Sequence, residues 1–489
     1  MSSHSLSEAI SGLPSAKHFS DFLPFLDRLR SKGYTGIWVE NDIIAPGPES
    51  HHPDIEQDYQ ILFRGNFKLH NIFDYTFRPN NEVYVTHLAQ LMAACAERGL
   101  DVYLSFWIPK LSKQFYEFLL AEHPRAIGSS MTFHHKRTPT LSTCEGSGGL
   151  ELLEEIVANL FERFPGIAGL KVACEDNAAW ICDDESPFAN GTTRARHTAN
   201  MYRAVLNGTR RRSSDAKLLI YPWMWVEGAR EEIYQLLKDD YFIMTKLESG
   251  SYQDLGPGIP THRIMDASIV SEQPGDIFTF WRDRVGTDRM FDMVPVGAGI
   301  DDFFLNCPPY PGRVFRRLKF LKEQGVHGFL DFECGGHHEG SCEDAVALFQ
   351  QNGGSDQEGF LDRLAAGMTG NEAAAKLTVV GWNAFDKGFG FIPMGLGETG
   401  EFPSLFSERL GFAWSMCIAT PLLPEPFLAE DKLHHVHFFS PYALFHGRTV
   451  QRLELFFQQV WRHWAEAMTA FEAASTLEPD NQALRREAI

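Results

Sequence analysis

The stretch GLELLEEIVANLFERFPGIAGLKVACE, residues 149–175, carries the pattern on which the fold prediction depends. Its first part places leucine and isoleucine at helical spacing among glutamates, which predicts an amphipathic helix over residues 149–164. Residues 169–174 then form a short apolar run that ends at Glu175, which predicts a buried strand leading into a loop. A helix followed by a buried strand is the repeating half of a parallel-sheet unit.

The same alternation extends from residue 16 to about residue 341. Eight strands are predicted, at residues 35–40, 101–107, 138–143, 169–174, 217–223, 241–246, 291–296 and 327–333. Helical patterns lie between them, and Gly33 and Gly99 each follow a helix, where a left-handed C-cap is expected. This arrangement predicts an α/β fold, a (β/α)8 TIM barrel. A doubly wound sheet is the main rival, but it would bring a glycine-rich phosphate loop after the first strand, and the residues after Glu40 lack that spacing.

The chain is predicted to divide into two domains. Residues 1–345 are expected to form the barrel, with long insertions at 41–79 and 249–273, and the second insertion is interpreted as containing an extra strand at 262–270. Beyond residue 346 the strand patterns stop, and residues 358–385, 406–418 and 449–477 are predicted to be helical. No linker rich in Pro, Gly or Ser separates the parts, so residues 346–489 are predicted to be a helical C-terminal domain packed on the barrel, with a frayed tail at 478–489.

Composition excludes several classes of protein. The 489 residues include 44 Lys+Arg and 64 Asp+Glu, a net charge of −20, and 44% are hydrophobic, so a disordered chain is excluded. The acidic balance argues against nucleic-acid binding through a general basic surface. No membrane span or secretory signal is visible, and eight dispersed cysteines predict reduced thiols, so a cytoplasmic location is expected.

Functional groups of a TIM barrel collect at the carboxyl ends of its strands, and here those ends are rich in carboxylates and aromatic rings. The predicted catalytic residues are Glu175, Asp176, Glu248 and Glu333. The predicted substrate-binding residues are Trp38, Glu40, Arg64, Trp107, Asn177, Trp180, Tyr221, Trp223, Lys246, Asp301 and Asp331. Carboxylates beside flat rings are what glycosidic cleavage requires. For a single such acid a helix N-cap is the favoured interpretation, but the set as a whole favours catalysis.

Among these acids, Glu175 is predicted to be the general acid, because a buried strand delivers it into a partly desolvated loop. Asp176 points the other way along an extended chain and is expected to orient or cap. For the opposing base or nucleophile Glu333 leads, followed by Glu248 and then by Asp301 or Asp302.

Three further residues have two interpretations each. Asp331 lies on the same strand face as Glu333, so both can point into the barrel to meet substrate, or one can merely hold the other in place. Lys246 and Arg64 could bind an anionic substituent such as a uronate, or could simply pair with a neighbouring acid.

No metal and no cofactor are predicted. Cys334, His337, His338 and Cys342 lie close together, but their spacing matches no standard zinc motif. The sequence contains neither a GxxxxGK[ST] loop nor a GxSxG elbow, which removes the direct signals for nucleotide hydrolysis and for a serine hydrolase. The first predicted strand ends WVE rather than with the His-x-His of metal-dependent amidohydrolases.

Residues LSTC (141–144), the helix at 150–164, PGIAGLKVACE (165–175) and WIC (180–182) resemble a segment of barrel glycoside hydrolases related to alpha-glucuronidases and beta-N-acetylhexosaminidases. The run FLDRLAAGMTGNEAAA (360–375), followed by GWNAF (381–385), is similar to the helical region after their barrels. The resemblance spans about residues 140–420 and implies that Glu175 is the proton donor. The hexosaminidases carry Asp then Glu, whereas Glu175 precedes Asp176 here, so catalysis assisted by an acetamido group is not implied.

The sequence therefore predicts a glycoside hydrolase of carbohydrate metabolism and polysaccharide degradation, exo-acting on a terminal sugar that could be acidic or decorated. Two alternatives stay open: a carbohydrate-binding protein without catalysis, and a sugar lyase or isomerase with Lys246 as base. A carbohydrate substrate is the expected partner. Linkage, stereochemical outcome and any homo-oligomer are left open.

Overall fold

A computed structural model describes most of the chain. The described residues are 6–12, 20, 22–40, 82–108, 113–131, 137–174, 193–222, 229–237, 240–253, 262–264, 272–298, 308–333, 339–352, 356–391, 395–396 and 450–487. Predictions that fall on other residues, including the insertion at 41–79 and the helix at 406–418, lie outside this part.

Eight parallel strands form a closed barrel, which confirms the predicted (β/α)8 TIM barrel. The strands of the described chain are β1 (Glu8–Gly12), β2 (Gly36–Glu40), β3 (Asp101–Ile108), β4 (Ile127–Met131), β5 (Arg137–Leu141), β6 (Ile167–Cys174), β7 (Lys217–Tyr221), β8 (Phe242–Thr245), β9 (Tyr252–Gln253), β10 (His262–Ile264), β11 (Met290–Ala298), β12 (Gly328–Glu333) and β13 (Gly395–Leu396). Around the barrel the order is β1-β12-β11-β8-β7-β6-β3-β2.

The barrel contains a strand that the sequence pattern did not reveal. β1 has only the run EAISG, and it pairs in parallel with β12 from Glu8 with Gly328 to Ser11 with Asp331. The predicted third strand, at 138–143, is wrong as a barrel strand, because β5 forms an antiparallel hairpin with β4 instead. Pro139 lies within β5 and has no N–H to donate, which suits a two-stranded hairpin better than the middle of a barrel wall.

Helices connect the strands and form the C-terminal region. Those described are α1 (Phe22–Ser31), α2 (Glu82–Glu97), α3 (Lys113–Glu122), α4 (Gly149–Arg163), α5 (Arg194–Arg210), α6 (Ala229–Leu237), α7 (Asp276–Val285), α8 (Pro311–Glu323), α9 (Ser341–Asn352), α10 (Gln357–Met368), α11 (Glu372–Phe389), α12 (Val450–Leu477) and α13 (Gln482–Glu487). After α1 and α2, Gly33 and Gly99 have φ of 84° and 62°, the left-handed conformation expected of glycine C-caps.

Two expectations about the C-terminal region are corrected. Residues 358–385 form not one helix but two, α10 and α11, because Asn371 caps a new helix by accepting hydrogen bonds from the N–H groups of Ala373 and Ala374. The tail is not frayed: α13 buries Leu484, and the buried Glu487 carboxylate accepts hydrogen bonds from Trp382 and Ser341.

The chain forms two compact units. The N-terminal unit comprises Gly12–Arg30 and Thr35–Met244, and the C-terminal unit comprises Met1–Ser11, Ser31–Tyr34 and Thr245–Ile489. The division at residue 345 stays a prediction. Within the C-terminal unit, β10 pairs with β9 and with β13, so the expected extra strand at 262–270 is present at its start.

The cysteines correct the expectation that all thiols are reduced. Cys144 is disulfide-bonded, whereas Cys95 and Cys342 are buried free thiols. A structural disulfide is typical of oxidising compartments, so it argues against the cytoplasmic location, which stays a prediction. In the described part of the chain, no helix has the length and apolar character needed to cross a bilayer.

Candidate functional site

A lysine lies among aromatic rings in the strand layer of the N-terminal unit. Lys171 is the fifth residue of β6 and is 1% exposed. Its Nζ lies 3.6 Å from the centroid of the Trp38 ring, on β2, and 6.0 Å from that of Tyr221, the last residue of β7. Both distances are within cation–π range. Trp38 and Tyr221, two of the predicted substrate-binding residues, are therefore brought together around one buried ammonium group.

These side chains lie on the concave face of the strands. β3 separates β2 from β6, so Lys171 and Trp38 stand on strands roughly 9.5 Å apart. Side chains from two such strands meet where the sheet curves toward them, which in a closed barrel is the interior. Between them on β3 lies Ser105, the register partner of Lys171. Its hydroxyl is fully buried and has no hydrogen-bond partner among the described residues.

Two glycines leave space for the aromatic rings on this face. A Cβ on Gly12 would lie 3.3 Å from the Trp38 ring, and one on Gly169 would lie 2.8 Å from the Tyr103 ring. Tyr103 is the register partner of both Trp38 and Gly169. The Trp38 and Tyr103 rings thus fill the barrel interior next to Lys171, because β1 and β6 carry glycine where a side chain would meet them.

The carboxyl ends of β2 and β3 bring two predicted residues to one end of the barrel. Glu40 is the last residue of β2, Trp107 precedes the last residue of β3, and Glu175 directly follows β6. The backbone register pairs Glu40 with Ser105, and Trp107 with Ala173. The residues predicted for the site that lie outside the described chain are Arg64, Glu175, Asp176, Asn177, Trp180, Trp223 and Asp301.

Asp331 faces away from the barrel interior. Its register partner on β11 is Val294, two residues after Asp292, and the carboxylate of Asp292 reaches Arg317 on α8, outside the barrel wall. The fully buried Asp331 carboxylate accepts hydrogen bonds from the Tyr34 hydroxyl at 2.9 Å and the Val296 N–H at 3.2 Å. This geometry corrects the expectation that Asp331 points inward, and its contact with substrate stays a prediction without geometric support.

Glu248 belongs to a buried charge network in the C-terminal unit. Arg317 donates to Glu248 at 3.0 Å and to Asp292 at 3.3 Å, and all three side chains are at most 1% exposed. Burial raises the pKa of Asp292 to about 7. The Arg317 guanidinium acts in the opposite direction, but Asp292 shares it with Glu248. The Glu272 N–H also donates to Glu248. These bonds indicate a structural role, and catalysis by Glu248 stays a prediction that they do not favour.

The remaining two described candidates are Glu333 and Lys246. Glu333 is the last residue of β12, at a carboxyl end of the barrel, and its backbone register partner is Ala298. Lys246 directly follows β8 and is 4% exposed, which restricts its access to a ligand.

No group of three potential metal-ligating side chains occurs among the residues that the structure describes. Of the Cys and His cluster noted in the sequence, Cys334, His337 and His338 lie outside those residues. Cys342 is buried on α9, with its thiol 3.1 Å from the carbonyl oxygen of Pro308.

Sequence reasoning missed Lys171 and Ser105. The signal was present in GLKVAC, because a charged residue in the middle of an otherwise apolar parallel strand is rarely buried without a specific role. The prediction considered only residues near strand ends and therefore did not include Lys171.

Comparison with protein-family models finds no match, and comparison with curated proteins finds none either. Among solved structures, the chain is similar to a GH138 enzyme targeting pectin rhamnogalacturonan II, with a TM-score of 0.54, 11% sequence identity, and coverage of 99% of this chain and 69% of that chain. This similarity confirms, at the level of the fold, the resemblance to barrel glycoside hydrolases.

Two other solved structures are more distant. A beta-galactosidase from the psychrophilic Marinomonas ef1 has a TM-score of 0.45 and 11% identity, over 77% of this chain and 68% of that chain. A mutant of the Thermobaculum terrenum O-GlcNAc hydrolase has a TM-score of 0.42 and 11% identity, over 99% of this chain and 93% of that chain.

Proposed function

We propose that this protein is a glycoside hydrolase that removes a terminal sugar by carboxylate acid/base catalysis. The observation that carries the proposal is a barrel similar to that of a glycoside hydrolase, with the Trp38 and Tyr221 rings beside the buried Lys171; in the sequence, Glu175 directly follows β6. Active sites of such barrels are built at this end. Aromatic rings there offer flat surfaces on which a sugar can stack.

Each proposed catalytic residue has a distinct role. Glu175 protonates the glycosidic oxygen as the bond breaks, and Asp176 orients it. Glu333, at the end of β12, stays the predicted nucleophile or base that activates water, although the outward direction of Asp331, two residues earlier on the same strand, does not favour it. A separation of about 5–5.5 Å between the two carboxyl groups would give retention of configuration, and about 6.5–9.5 Å would give inversion.

The test is turnover of nitrophenyl glycosides and uronides, repeated with a metal chelator. Glu175→Gln is expected to lower kcat on the preferred substrate by roughly 100-fold or more, because the amide cannot supply the proton. Glu155→Gln, an exposed change on α4, is the matched control and should leave kcat unchanged. Full activity of the Glu175 variant would remove the proposed acid.

The same panel distinguishes the alternative functions. Sugar binding without turnover by the parent protein would indicate a carbohydrate-binding protein. An unsaturated or isomerised product formed without incorporation of water would indicate a lyase or isomerase, with Lys246 as the predicted base.

A further inference from the structure

We propose that Asp292 is a pH-sensitive switch within the C-terminal unit: as a neutral acid it donates a hydrogen bond to the Thr245 hydroxyl, and its ionisation removes that bond. Asp292 is the third residue of β11, and Thr245 is the last residue of β8. Both belong to the C-terminal unit. The inference concerns the stability of the fold and does not rest on the proposed function.

The first observation is the geometry around the Thr245 hydroxyl, which is buried. Its oxygen lies 3.2 Å from the carbonyl oxygen of Phe291 and 3.3 Å from Oδ1 of Asp292. A hydroxyl group has one hydrogen to donate and can also accept. Both contacts are therefore hydrogen bonds at the same time only if Thr245 donates to Phe291 and Asp292 donates to Thr245. The proton on Oδ1 is the hydrogen that this arrangement needs.

The second observation is the sharing of one cation by two carboxyl groups. Arg317 on α8 donates to Glu248 at 3.0 Å and to Oδ2 of Asp292 at 3.3 Å, and all three side chains are at most 1% exposed. A buried charge is costly unless it is closely paired. Since the longer contact is the one to Asp292, we assign the proton to Asp292 rather than to Glu248.

The electrostatic surroundings of Asp292 act in the same direction. Burial raises the pKa of Asp292 from its ordinary 3.8 to about 7, against the Arg317 charge and a hydrogen bond from the Leu247 N–H, and Glu248 adds to the rise. A hydrogen bond that the neutral acid donates to Thr245 favours the protonated form further.

Other elements of the C-terminal unit pack next to β11 and carry titratable groups. The buried ones are Arg313 and Arg317 on α8, Cys342 and Glu343 on α9, Asp331 on β12, and Lys246 and Glu248 after β8. Arg313 binds Asp386, and Asp331 accepts from the Tyr34 hydroxyl. Among the described residues, Arg317 is the one cation in contact with the Asp292 carboxyl group.

Asp292→Asn tests the protonation state, because asparagine has the shape of the neutral acid and also carries a donor. The folded state holds the proton more tightly than the unfolded state, so the stabilisation is complete below about pH 3.8 and is lost as the pH rises through about 7. The melting temperature of the variant, relative to that of the parent, should therefore rise by roughly 3 °C between pH 5 and pH 8. A difference that stays constant or falls would show a lost ion pair and overturn the proposal.

Thr245→Val tests the direction of the hydrogen bond. Valine keeps the shape of threonine but removes the acceptor, so the neutral acid is disfavoured and the fall in melting temperature should move to lower pH, by about half a pH unit. A carboxylate that accepts from Thr245 would instead lose a donor, and the fall would move to higher pH. A shift to higher pH, or none, would contradict the proposal, and this result is decisive even if Asp292→Asn does not fold.

Two further variants separate Asp292 from other buried acids. Asp386 binds both Arg313 and Arg316, so Asp386→Asn should lower the melting temperature by a similar amount at pH 5 and at pH 8. Glu487 is also a buried acid whose pKa is raised to about 7. The Asp292 and Thr245 measurements are therefore repeated with Glu487→Gln, where the same shifts are expected; their disappearance there would assign the titration to Glu487 and overturn the proposal.

Discussion

Individual side chains determine how the space inside the barrel is filled. Trp38, Tyr103 and Tyr221 come from three strands, and glycines stand opposite two of these rings. Such packing tolerates little added volume, because protein interiors are as dense as organic crystals. Of these two glycines Gly169 has less room, since an added Cβ would lie 2.4 Å from the Lys217 carbonyl oxygen and 2.8 Å from the Tyr103 ring.

Gly169→Ala is therefore expected to destabilise the protein by about 1–3 kcal/mol through overpacking. Differential scanning calorimetry would show the loss as a lower melting temperature. Gly367→Ala is the control, because Gly367 lies on α10 with no atom within 4 Å of an added Cβ. It should be neutral or slightly stabilising, as alanine favours helix. Equal melting temperatures for the two variants would contradict the tight packing at Gly169.

The same scale explains why the sequence did not reveal the partners of two carboxylates. Glu248 and Asp331 lie at or near strand ends, where a sequence predicts catalytic acids, yet both are buried with structural partners. Adjacent positions on a strand face opposite sides, so a shift of one residue in register decides which side a carboxylate faces. Register depends on the neighbouring strands, which the local sequence does not contain.

At the scale of the element, the sequence predicts long amphipathic helices accurately. The predicted helices at 149–164 and 449–477 differ from α4 and α12 by one residue at an end. Their repeated apolar spacing carries enough local information for this. β1 was not predicted because it has only five residues, two of which are Ser11 and Gly12, and so carries little periodic information.

The break between α10 and α11 depends on one cap. Asn371→Ala should cost about 1 kcal/mol, because the N–H groups of Ala373 and Ala374 lose the acceptor that now binds them. Urea unfolding followed by circular dichroism measures this loss. Asn371→Asp keeps an acceptor oxygen and should retain the parent midpoint; a midpoint as low as that of the alanine variant would argue that the cap is not what stabilises α11.

At the scale of the whole molecule, the end of the chain is tied into the C-terminal unit by Glu487. Its buried carboxylate accepts from the Trp382 indole at 2.6 Å and from the Ser341 hydroxyl at 2.9 Å. Burial raises the pKa of Glu487 from its ordinary 4.5 to about 7, and the hydrogen bonds from these neutral donors only partly oppose it.

This shift predicts a pH dependence of stability. Because the folded state holds the proton more tightly than the unfolded state, the contribution is complete below about pH 4.5 and is lost as the pH rises through about 7, by up to about 3 kcal/mol. Glu487→Gln, which cannot ionise, should flatten the fall in melting temperature between about pH 5 and pH 8. Glu472→Gln, an exposed change on α12, should keep the parent profile. Identical profiles for parent and Glu487 variant would show that this group does not titrate on unfolding.

Local patterns along the chain were sufficient for the α/β class, for seven of the eight barrel strands and for most helices, because periodicity and helix caps are properties of neighbouring residues. They also directed attention to the carboxyl ends of the strands. Only the folded arrangement revealed that Lys171 stacks on Trp38, that Glu248 and Asp331 have structural partners, and that Glu487 is buried. These facts depend on strand register and on contacts between residues far apart in sequence, and no local pattern encodes either.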